Sequence, residues 1–143
     1  MTELTLALLL WIDSNTSLKY SDSPLPSIEI ASMERLHEIR YRDDVSEGID
    51  SETSNTVGVY VFEERKIYLW EKFDLHSIDG KAALVHELVH YIQYETGMNE
   101  TADCTEQLEF AAYRAEGEFL KQHGVKPKFD GMHVMLASMC WDS

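Results

Sequence analysis

Two histidines and a glutamate at fixed spacing are the residues of this chain best suited to chemistry: His86-Glu87-Leu88-Val89-His90, within Ala83–Ile92. Four residues is just over one helical turn. On a helix, His86 and His90 therefore lie one above the other, and two imidazole nitrogens can converge on one cation. Glu87 projects near the same face, within reach of a water held by that cation. The surrounding Leu84, Val85, Leu88, Val89, Tyr91 and Ile92 are apolar, which places the polar trio inside the protein. The bland alternative is a pair of packed or solvated histidines. The apolar frame argues against it.

A catalytic zinc needs three protein donors and one open position. Cys104 is one candidate for the third donor, but it precedes the next helix, where cap geometry aims it elsewhere. Acids on that helix suit better. At 100° per residue, Glu106, Glu109 and Glu116 share one side, beside the apolar stripe of Leu108, Ala111, Ala112, Ala115 and Phe119. Glu109 sits between Leu108 and Ala112, at the edge of the core. The small alanines let another helix approach closely.

The elements that must position these groups follow from periodicity and capping. The motif helix is expected from about 80 to 95, capped by Asp79 or Ser77 and stopping before Gly97. Asp103 and Glu106 have capping-box spacing for a second long helix, about 104 to 122, with Gly124 at its end. Val57 to Trp70 reads as a hairpin of β-branched and aromatic residues, and Ile28-Glu29-Ile30 as a short strand. Ser32 caps a helix carrying Met33, Leu36 and Ile39. Residues 3–17 form a buried helix through Leu4, Leu8, Leu9, Trp11 and Ile12. The acidic stretch 43–55, with Gly48, reads as a loop. Val134, Met135, Leu136 and Met139 suggest a last helical turn or two. The fold class is α+β: a small β-sheet or hairpin packed on the motif helix and a second long helix.

With 143 residues, one domain spanning 1–143 is the natural division, large enough to bury a real core. The formal net charge of −14 argues against nucleic acid and anionic membrane surfaces as partners. The apolar run from Leu4 to Ile12 is too short to span a bilayer and lacks the basic flank of a signal peptide. The expected location is therefore cytoplasmic, or secreted with a signal already removed. Cys104 and Cys140 are not spaced as a zinc knuckle. They form either one disulfide or two free thiols, according to the redox compartment.

His86-Glu87-x-x-His90, eighteen residues, then Glu109 resembles the gluzincin signature of zinc metallopeptidases, and the strand-then-helix order before it is similar. The resemblance covers residues 83 to about 120 and is nearest the compact, single-domain (minigluzincin-like) members. It implies a zincin-like fold, Zn2+ as cofactor, His86, His90 and Glu109 as metal ligands, Glu87 as general base, and a peptide or protein substrate. Some gluzincins carry an acid four residues after the third ligand to orient a histidine. Here that position is Tyr113, so the groups supporting the ligands must differ.

The expected activity is zinc-dependent peptide-bond hydrolysis. A developing oxyanion needs a further donor. His133 is the first choice, beyond the third-ligand helix, with His123, Tyr113 and Tyr94 as others. The strand Ile67–Trp70 or its hairpin partner is expected to offer an edge for an extended peptide. The alternative, of a different class, is a metal-binding interaction module with little turnover on the same frame. A latent peptidase covered by its own terminal segment is a third. Intact Glu87 favours the enzyme, because a structural zinc does not need it.

Overall fold

The structure is a computed structural model that describes residues 2–20, 23–42, 45–49 and 56–127. It is an α+β domain whose described elements run α1 (Thr2–Asn15), β1 (Ser27–Ala31), α2 (Met33–Ile39), β2 (Val45–Ile49), β3 (Thr56–Val61), β4 (Lys66–Trp70), α3 (Ile78–Glu95), α4 (Met98–Thr101) and α5 (Thr105–Gln122). No helix among the described residues is long and apolar enough to cross a membrane.

The strands form one mixed sheet in the order β1-β4-β3-β2. β1 runs parallel to β4, while β3 is antiparallel to both β4 and β2. Two expectations change here. The stretch 43–55 is not all loop, since Val45–Ile49 pairs with β3. A short segment with a glycine and an acid carries a weak strand signal, and backbone pairing to β3 is what makes it a strand. Nor does the β3–β4 hairpin offer a free edge. β4 is covered by β1 and β3 by β2, so among the described residues the outer strands are β1 and β2.

Side chains alternate across the sheet as the two-residue repeat requires. Val59, Val61 and Tyr68 face α2, where they pack with Ala31, Leu36 and Ile39. Tyr60, Ile67 and Leu69 face the other way, into the larger core with α3, α1 and α5. Helix α3 lies at the centre of that core, with every residue from Ala82 to Gln93 buried. Ser77 is its N-cap, accepting from the Gly80 amide at 3.0 Å, and supplies the cap left open between Ser77 and Asp79. Helix α1 packs its Leu8, Leu9 and Ile12 inward. Trp11 meets Phe119 of α5 edge-on at 5.2 Å between ring centroids, and its Nε1 donates to Gln122 Oε1 at 3.1 Å.

The start of α5 departs from the capping-box expectation. Cys104 is the N-cap and makes no side-chain cap hydrogen bond. Gln107 reaches back instead, its Oε1 accepting from the Asp103 amide at 3.0 Å. Cys104 is not a free thiol. Cys140, His133 and the expected helical turns near 134–139 lie outside the described residues.

Candidate metal centre

Helix α3 carries His86 and His90 toward α5 and Glu87 toward β3, and all three are buried, with relative exposures of 2%, 0% and 1% respectively. Their burial follows from the apolar residues on every other side of α3, which the sheet, α1 and α5 cover together. The two imidazole rings lie 5.0 Å apart between centroids, as expected one turn apart on a helix.

Glu109 of α5 closes the group. Its Oε1 is 2.7 Å from His90 Nε2, and its Oε2 is 3.5 Å from His86 Nε2. One donor atom from each of the three residues lies within 4.8 Å of the others. Donors around a tetrahedral zinc are about 3.3 Å apart at ordinary bond lengths, a value between the two measured separations. Despite these approaches, neither Nε2 has an aligned hydrogen-bond partner among the described residues. Two buried nitrogens aimed beside a carboxylate, yet not bonded to it, suit a set of lone pairs sharing one cation. Two imidazoles and a carboxylate are also the donor chemistry that zinc accepts.

The opposite nitrogens are occupied. His86 Nδ1 donates to Glu116 Oε1 at 2.9 Å. His90 Nδ1 lies 2.9 Å from Oε1 of Gln93, whose Nε2 donates to the Leu108 carbonyl at 3.0 Å. Glu116, weighed from sequence as a substitute ligand, thus supports a histidine from behind. It stands seven residues after Glu109, two turns along the same face of α5. Tyr113, at the position where an orienting acid was sought, instead sets its ring against His86 at 4.6 Å between centroids. Glu106 is exposed and takes no part in the group.

Electrostatics agree with this arrangement. Burial by itself would lower the His86 pKa. The carboxylates of Glu109 and Glu116 oppose it and, with Glu87 nearby, carry it well above the ordinary histidine value. Burial would raise the Glu109 pKa, but His90 and His86 hold it well below the usual carboxylate range.

Sequence reasoning missed Gln93 and Gly58. Gln93 is three residues after His90 and so on its face of α3, a signal that could have found it. Gly58 lies on β3 against Glu87: a Cβ there would stand 2.9 Å from Glu87 Oε2 and 3.2 Å from its Cγ. Its only sign in the sequence is a glycine within a valine-rich strand. Of the oxyanion donors considered, Tyr113 lies beside the group. Tyr94 stacks on Phe62 at 4.4 Å, and His123 Nδ1 lies 2.8 Å from the Phe119 carbonyl.

The chain belongs to the family described as Domain of unknown function (DUF6647), whose model matches residues 1–143. No curated protein and no solved structure matches it.

Proposed function

We propose that this chain is a zinc-dependent peptide-bond hydrolase of the zincin type, with His86, His90 and Glu109 as metal ligands and Glu87 as general base. The observation that carries the reading is the convergence of two buried Nε2 atoms on the carboxylate of Glu109, at 2.7 and 3.5 Å, with no aligned hydrogen bond to either among the described residues. The order of a mixed sheet, a motif helix packed on it and a second helix bringing the acid agrees with a zincin-like fold.

His86, His90 and Glu109 would hold the zinc, which when bound would supply Lewis-acid chemistry for the scissile carbonyl and the attacking water. Glu87, one residue beyond His86, takes a proton from that water and delivers it to the leaving amine. The ring of Tyr113 lies against His86, which makes Tyr113 the described residue to test as a donor to the developing oxyanion. An extended peptide adds to β2, which among the described residues pairs on one side only. β2 leads inward to Glu87, because its Gly48 stands opposite Gly58 of β3, the residue against which Glu87 packs.

The test is metal analysis with a peptide-library digest of wild type and Glu87→Gln. One zinc per chain in both, with cleavage in wild type alone, supports the reading. Cleavage that persists in Glu87→Gln removes Glu87 from its role. The second reading, a metal-holding interaction module, is favoured by the side-chain exposures of only 2% and 1% at His86 and His90. Stoichiometric zinc with no cleavage by wild type would select it.

A further inference from the structure

Gln93 is fully buried, with no exposed surface, and does two things at once. Its Nε2 donates to the main-chain carbonyl of Leu108, and its Oε1 faces Nδ1 of His90. A carbonyl oxygen only accepts, so the end of the amide facing Leu108 must be the NH2 group. Oε1 is then fixed as the end facing His90, and Oε1 also only accepts. Nδ1 of His90 must therefore carry a proton. In a neutral imidazole this leaves the lone pair on Nε2, the atom 2.7 Å from Glu109.

We propose that Gln93 is a positioning residue that fixes the tautomer of His90 and couples it to the seating of α5. The inference rests on the reading of this group as a cation site. The carbonyl at the far end of the relay belongs to Leu108, the residue immediately before Glu109. The bond that sets the lone pair of one ligand thus also pins the backbone that presents another. His86 is supported differently, by a carboxylate on α5 with no such link through an amide. The two histidines are not equivalent: a charged acceptor strengthens one as a donor, and a neutral relay sets the tautomer and direction of the other. If α5 lifts from α3, Gln93 is free to turn over, and His90 loses the constraint that keeps Nε2 available.

Histidine 15N NMR of the metal-free protein at alkaline pH reads this directly. The expected result is His90 as the Nδ1–H tautomer in wild type, against the Nε2–H form that free imidazole side chains prefer. Finding His90 as Nε2–H would overturn the proposal, and this measurement needs no variant. Gln93→Met keeps the bulk and removes both bonds. It is expected to release the tautomer and weaken zinc affinity about 10–100-fold in chelator competition. Unchanged tautomer and affinity in Gln93→Met would assign Gln93 to packing alone. Gln93→Glu keeps an acceptor for His90 but sets a second acceptor against the Leu108 carbonyl. It is expected to keep the tautomer and still lose affinity, and wild-type affinity there would sever the link to α5. Wild type that holds no zinc at all would defeat the proposed function, while the tautomer would still be read independently.

Discussion

The carboxylate of Glu87 rests against the bare Cα of Gly58, at a distance that leaves no room for a β-carbon. A methyl there would collide first with Oε2, the mobile end of a side chain, rather than with backbone. Leu69 Cδ2, at 3.2 Å, would also have to give. The cost falls on where Glu87 points more than on stability. Gly58→Ala is expected to keep its metal and to lower kcat/KM by roughly 10–100-fold, the order of loss that follows a 1 Å misplacement of a catalytic group. Metal analysis beside peptide-cleavage kinetics checks this, and unchanged cleavage would mean that Glu87 does not act from its present position.

Glu109 and Glu106 were both candidates for the third ligand, one turn apart, and only Glu109 faces the histidines. Glu109→Ala is expected to reduce zinc affinity by more than about 100-fold, the upper end of what even supporting residues lose. Glu106→Ala should leave it within about twofold. Competition with a chromophoric chelator separates the two, and an equal loss in both variants would point to bulk charge rather than coordination.

Proton and metal compete for the same nitrogens. The His86 pKa is raised in the folded, metal-free protein, so the stability it contributes is present below the ordinary histidine value and is lost as pH rises through the raised one. The lowered pKa of Glu109 works in reverse: its contribution is present above the usual carboxylate range and is lost as pH falls through the depressed value. The metal-free protein should therefore lose Tm as pH climbs above the ordinary histidine range, while zinc affinity increases over the same interval. Thermal melts with and without zinc across pH test both slopes. A metal-free Tm that is flat through that range would contradict the pairing of His86 with Glu109 and Glu116.

Helix α3 begins under a tight steric constraint. A Cβ at Gly80 would fall 2.1 Å from the Asp74 carbonyl oxygen, which is backbone and cannot swing away. Gly80→Ala is expected to destabilise the fold by on the order of 3 kcal/mol through displacement of the Ser77 cap. Thermal or urea unfolding measures this, and a loss under about 0.5 kcal/mol would show that the turn before α3 yields freely.

The motif helix and α5 are legible in the sequence because long amphipathic segments with capping residues carry strong local signals. The His86–His90 pair and Glu109 follow from helical spacing, which brings them together once α3 and α5 pack. The supporting groups were harder to read. Glu116 could be placed on the correct face of α5, but whether an acid faces a cation or the back of an imidazole depends on how far the two helices have slid past one another. β2 was hidden for a different reason: Val-Ser-Glu-Gly-Ile has little strand propensity of its own, and only its partner β3 makes it one. The capping-box spacing of Asp103 and Glu106 was overridden because Gln107, one residue on, satisfies the same amide. His133 and Cys140 lie outside the described residues.

Because α3 is enclosed by the sheet on one side and by α1 and α5 on the others, the imidazoles of His86 and His90 have almost no direct access to bulk solvent. Of the three donors only Glu109, with 26% of its side chain exposed, borders the outside. An ion leaving this pocket would have to pass the Glu109 carboxylate. Were a cation held there, its dwell time would depend on the swing of that one partly exposed side chain on α5 more than on α3, which carries the two buried histidines.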